Sequence, residues 1–137
     1  RRSHTGILIY LNCAPIIWFS KAQNTVEAST FGSEFIAMRI CVEMLEAMRY
    51  KLRMMGIPID GASNVFCDNK SVIINSTVPT STLKKKHNSI AYHRVREAVA
   101  AQILQIAKVH TSENLADLLT KPLSGVHLKN LIQKILW

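Results

Sequence analysis

Acid is scarce in this chain. Its 137 residues hold 9 Asp and Glu against 17 Lys and Arg, a net charge of +8. A balance that basic points to a polyanionic partner, most often nucleic acid. Cysteine is scarcer still. Cys13, Cys41 and Cys67 are odd in number, far apart and without a CxxC pair. That argues against a disulfide framework and against a zinc site, and for a reducing intracellular setting. No apolar run approaches the roughly 20 residues that span a bilayer, so no membrane partner is expected. The N-terminal "RRSHTGILIYLNCAPIIW" opens like a signal peptide, but Asn12 and Pro15 interrupt it and no small-residue cleavage site follows. There is no initiator Met, so the chain reads as a piece of something longer. What remains is 48% hydrophobic residues, enough for one domain with a single core.

"TGILIYLN" and "APIIWFSK" are short, β-branched and aromatic, and "NCAP" separates them, so they read as a hairpin. The period then changes. Phe35, Met38, Val42, Leu45, Leu52 and Met55 recur at helical spacing within "STFGSEFIAMRICVEMLEAMRYKLRMMG". Thr30 or Ser33 would cap that helix, and Gly56 with Pro58 would stop it. "ASNVFC" reads as a strand, "NKSVIINS" as a short helix and "TVPTSTLKKKHNS" as an exposed basic loop. "IAYHRVREAVAA" is helical with Ile90, Val95 and Val99 inward, and "QILQIAKVH" alternates like a strand. "SENLADLLTK" opens a helix with Ser112 as its cap, and Pro122 ends it. The order β-β-α-β-α-loop-α-β-α predicts one α/β domain, a mixed sheet flanked by helices. Residues 1–124 form that domain, and 125–137 form an amphipathic C-terminal tail.

The few acids fall in suggestive places. Glu34 lies in the first turn of the long helix beside Phe35, Asp68 ends the strand "VFCD", and Asp117 sits among leucines near the C-terminus. Carboxylates on apolar elements are costly unless paired, hydrogen-bonded or bound to a cation. Hard cations such as Mg²⁺ take carboxylates from separate elements, and two such ions can activate water and steady a leaving oxygen in phosphodiester cleavage. Each acid also has a plainer use: Asp68 in an Asx turn or helix cap, Glu34 in the helix macrodipole, Asp117 paired with Lys121 at i+4. Spacing alone leaves both open.

Five motifs carry a resemblance: "RRSHTG", "IIWFSKAQNTVEASTFGSEFIAMR", "VFCDNKSV", "KKKHNSIAYHRVREAV" and "KVHTSENLADLLTKPL", in that order. Together they resemble the ribonuclease H domain at the C-terminal end of copia-type retrotransposon polyproteins, over nearly the whole chain. The resemblance implies a ribonuclease H-like mixed sheet flanked by helices, two Mg²⁺ (or Mn²⁺) ions, and cleavage of the RNA strand of RNA–DNA hybrids during reverse transcription. It implies that Glu34, Asp68 and Asp117 are the catalytic metal ligands, with His110 as a candidate auxiliary group for proton transfer or product release. Glu27 precedes the helix, and Asp60 belongs to a "PIDG" turn, so neither takes a role.

The family's first aspartate lies on a central strand just before the "RRS" turn. This chain begins inside that turn, so the strand and its ligand are expected to be missing from it and the fragment alone to be inactive. A non-cleaving remnant that binds nucleic acid or packs on reverse transcriptase is the alternative reading, and an integrase-type relative a more distant one. Phosphate contacts are expected at Lys84, Lys85, Lys86 and His87, which would position a duplex without reading its sequence, and Asn69 and Ser71 would add phosphate or metal-water hydrogen bonds. The implied partners are an RNA–DNA hybrid and the reverse transcriptase of the same polyprotein, with no small-molecule cofactor. The expected location is the cytoplasm or nucleus, including retrotransposon particles. Trp18 and Phe19, mid-strand, are expected in the core, and the sequence assigns Trp137 no role.

Overall fold

Residues 2–24, 30–82 and 89–136 are described by a computed structural model. β1 (His4–Leu11) and β2 (Ala14–Ala22) pair antiparallel, with a register shift between Ile9 and Tyr10. The two-residue turn works because Asn12 takes a positive φ of 54°, which asparagine tolerates better than most residues. Alternation divides the hairpin's faces. Thr5, Ile7 and Ile9 are buried on one face, and Gly6, Leu8 and Tyr10 lie on the other.

α1 (Thr30–Met54) follows the helical stripe, with Phe35, Met38 and Val42 buried. Its start differs from expectation. Ser33 does not cap; its hydroxyl donates back to the Thr30 carbonyl at 2.9 Å. The end is as expected. Gly56 has φ 76°, its N–H reaches the Arg53 carbonyl, and the Ile57 N–H reaches Leu52, closing the last turn.

β3 (Ser63–Cys67) and β4 (Leu104–Lys108) pair parallel, in register from Ser63 with Leu104 to Cys67 with Lys108. Between them run α2 (Lys70–Thr77) and α3 (Ser89–Ala100). This is a crossover connection, as parallel strands require. The main core packs α1 on this pair: Phe35, Met38 and Val42 meet Val65, Cys67, Val72, Ala91, Tyr92, Val95, Ala98 and Leu104. The inward face of α3 is therefore Ala91, Tyr92, Val95 and Ala98. Ile90 is exposed, contrary to the periodicity reading, because Tyr92 takes the inward position and donates its hydroxyl to the Ser81 carbonyl.

After β4 come two 3-10 turns, Thr111–Glu113 and Leu115–Leu119, instead of the expected capped α-helix. Their caps are His110 and Asn114, not Ser112, since those side chains accept the free backbone N–H groups. α4 (Gly125–Ile132) follows, and its Leu131 is fully buried. No helix among the described residues is long and apolar enough to cross a membrane.

The molecule is mixed α/β with helices over its strands, as expected from the sequence. Its strands form two separate pairs, β1–β2 and β3–β4, so among the described residues β1 and β3 each have one unpaired edge. Trp18 corrects the sequence reading. It shares the face of Leu8 and is 70% exposed, whereas Phe19 pairs with Ile7 on the buried side.

Candidate metal centre

Three elements carry the three acids. Glu34 enters from the first turn of α1, Asp68 follows the last residue of β3, and Asp117 lies inside the second 3-10 turn. The fold brings them into one electrostatic neighbourhood. Burial raises the Glu34 pKa above the ordinary carboxylate range. A hydrogen bond from the Asn69 side chain opposes that shift, the charges of Asp68 and then Asp117 add to it, and Lys121 opposes it weakly. Glu34 thus feels both other carboxylates.

Asp68 is free for such a role because its neighbour does the capping. The Asn69 side-chain oxygen accepts from the N–H groups of Ser71 at 2.8 Å and Val72 at 3.3 Å, which holds the start of α2. With that oxygen occupied, the amide nitrogen is the part left to face Glu34. Ser71 is exposed and joins this cap through its backbone.

Asp117 is 6% exposed. Its carrier segment is pressed onto the hairpin at Gly6, where any Cβ would meet the Ala116 carbonyl at 2.7 Å and the Thr120 methyl at 2.5 Å. The Ser20 hydroxyl donates to the Leu119 carbonyl at 2.7 Å on the same face. Glycine at position 6 is what allows so close an approach. The Lys121 ammonium lies 2.8 Å from Asp117 Oδ2, an ion pair at i+4. That oxygen nonetheless lacks a hydrogen-bond partner of acceptable geometry, and so does buried Glu34 Oε2. At that distance Lys121 is the charge partner of Asp117, and Glu34 Oε2 is the oxygen left without a direct one. A buried carboxylate oxygen without a partner, as at Glu34, is the kind of donor that a hard cation takes.

Sequence reasoning missed Cys67. Its sulfur lies with one oxygen each of Glu34 and Asp68, all within 4.8 Å of one another. Burial and, to a lesser degree, the Glu34 and Asp68 charges push its thiol up to about 11, against a contact with the Asn69 backbone. The available signal was alternation: Val65 and Cys67 share the inward face of β3, immediately before Asp68.

The remaining candidates engage other partners or lie outside the described residues. His110 is exposed, and its Nδ1 lies 2.8 Å from the Ser112 hydroxyl. Lys84, Lys85, Lys86 and His87 lie outside the described residues, as do Glu27 and Trp137. Asp60 is exposed beside Gly61, whose φ is 72°.

Comparison with known proteins gives one consistent kinship. The chain is 32% identical over 133 residues to the retrovirus-related Pol polyproteins from transposons RE2 and RE1 of Arabidopsis thaliana. It is 34% identical over 121 residues to that from transposon TNT 1-94 of Nicotiana tabacum. The alignments cover 97% of the chain for the first two and 88% for the third, but 9% of each relative's length. The chain is thus a homologue of one segment of plant transposon Pol polyproteins. No protein-family model and no solved structure matches it.

Proposed function

We propose that this homologue of a transposon Pol segment is the ribonuclease H domain of a copia-type polyprotein. In that role it hydrolyses the RNA strand of RNA–DNA hybrids during reverse transcription. The observation that carries this reading is the convergence of Glu34, Asp68 and Asp117 from three separate elements, with the buried Glu34 Oε2 left without a hydrogen bond. These three residues would hold the Mg²⁺ or Mn²⁺ ions. Such ions supply a nucleophilic water and stabilise charge on the leaving oxygen. The chain's own residues do the rest. Asn69 fixes the Glu34 carboxylate, Gly6 lets the Asp117 segment seat on the hairpin, and the basic surface holds backbone phosphates. The hybrid would be met through its shape and 2′-hydroxyls. Residues Lys84 to His87 and Ser71 are proposed phosphate contacts, and His110 an auxiliary proton-transfer group.

The unpaired edges of β1 and β3 favour a second feature of the same reading. A strand antiparallel to β1 and parallel to β3 would join the two pairs into one mixed sheet and bring a fourth carboxylate. Without it the chain would bind hybrid but not cut it, which is the non-cleaving alternative. The test is cleavage of a labelled RNA–DNA hybrid in Mg²⁺, by the chain alone and by the chain carrying the upstream Pol segment. Cleavage confined to the longer form and abolished by Asp68→Asn supports the assignment. Cleavage undiminished by Asp68→Asn refutes it.

A further inference from the structure

Cys67 has no task in a centre built for hard cations, which take oxygen rather than sulfur. Its position is nevertheless that of a ligand. The Cys67 sulfur and the oxygens of Glu34 and Asp68 lie within 4.8 Å of one another, a three-donor set from α1 and the end of β3. Around tetrahedral zinc, with a Zn–S bond near 2.3 Å and Zn–O bonds near 2.1 Å, ligand atoms lie about 3.4–3.6 Å apart, so the donors would close by up to about 1.4 Å on binding. Side-chain rotation of Glu34 and Asp68 is what would bring the set to that spacing. An independent observation points the same way. Glu34 Oε2 is buried without a hydrogen-bond partner, whereas the more deeply buried Asp117 already has Lys121 as its charge partner at 2.8 Å. No other cysteine among the described residues belongs to such a group.

We propose that Glu34, Cys67 and Asp68 form a zinc site, with the Cys67 sulfur as a ligand, and that Zn²⁺ excludes Mg²⁺ from this centre and switches it off. The inhibition rests on the function proposed above; the binding does not. When the ion binds, the S–H bond breaks, the proton passes to water, and the electron pair on sulfur forms the S–Zn bond with no change of oxidation state. Zinc gains from the exchange because it is softer than magnesium and stands above other hard divalent ions for mixed sulfur and oxygen donors. The scattered cysteines gave no zinc spacing in the sequence. Here carboxylates distant along the chain complete the set.

The test uses the whole reduced chain and Co²⁺, which reports sulfur ligation by a thiolate charge-transfer absorption that Zn²⁺ should displace. That absorption is expected in the unaltered chain and in Cys13→Ser, and absent from Cys67→Ser. Zn²⁺ affinity of Cys67→Ser is expected to fall at least about tenfold, since even partners behind a ligand are worth that much. Mn²⁺ binding by the same variant should be unchanged. Cadmium NMR of the unaltered chain decides the matter without any variant: a sulfur-ligated resonance supports the site, and an all-oxygen resonance overturns it. Full cobalt–thiolate absorption in Cys67→Ser also overturns it. If the chain binds Mn²⁺ but gives no cobalt–thiolate absorption, the zinc site falls and the hard-metal centre stands. If neither ion binds, both fall.

Discussion

The hairpin and the parallel pair are sheets of two strands each, yet they serve the molecule differently. β1 and β2 are neighbours in the chain and close through a two-residue turn, whereas β3 and β4 meet only after α2 and α3. The parallel pair supplies Val65, Cys67 and Leu104 to the main core, while the hairpin adds Thr5, Ile7 and Ile9 as separate buried residues. The acids follow the same division. Asp68 belongs to the parallel pair, Asp117 is seated against the hairpin through Gly6 and Ser20, and Glu34 lies on α1, which packs on both. The candidate centre is thus a seam between two units, and its geometry depends on how each holds its own carboxylate.

Substitutions should separate the two units, beginning with the largest effect. In the cleavage-competent longer form, Asp68→Asn should lower hybrid cleavage at least about 100-fold, because a metal centre supplies several kcal/mol of charge stabilisation. Leu104→Ala, in the core of the parallel pair, should cost about 2–5 kcal/mol in denaturant unfolding. Gly6→Ala should cost about 1–3 kcal/mol as an overpacked contact with a backbone carbonyl. It should also weaken Mn²⁺ binding by shifting Asp117, which Leu104→Ala should do far less. Equal Mn²⁺ affinities in these two variants would contradict the division.

Glu34→Gln should do the reverse of a typical site substitution and raise the melting temperature of the metal-free chain. The sign follows from the shift. A carboxyl whose folded pKa is raised adds stability below its unfolded pKa and loses it as pH rises through the folded one. At neutral pH the ionised Glu34 therefore opposes folding, and a neutral amide relieves it. The gain should vanish below the carboxylate range, where Glu34 is protonated in either state. Trp18→Ala, at a side chain that is 70% exposed, should shift stability by less than about 0.5 kcal/mol.

The order of elements and the long helix were legible because they rest on period and turn residues, which are local. The acids were legible through their unusual placement on apolar elements together with the family motifs. Phase and partners were not. Trp18 and Phe19 sit side by side on one strand, and which faces inward depends on pairing with Leu8 and Ile7. Ile90 and Tyr92 compete for the inner face of α3, and the Ser81 carbonyl, reached only in the folded chain, favours Tyr92. Asp68 and Asn69 are equally plausible caps in sequence, and only the backbone of α2 decides for Asn69. Cys67 joins Glu34 across 33 positions of chain, a contact that no local pattern encodes.

Calorimetric titration of Mn²⁺ into the chain and into Glu34→Gln, Asp68→Asn and Asp117→Asn puts the seam to trial most directly. Each replacement should weaken binding about tenfold or more while the far-ultraviolet circular dichroism stays unchanged. Affinity unaltered in all three would mean that these carboxylates do not share an ion.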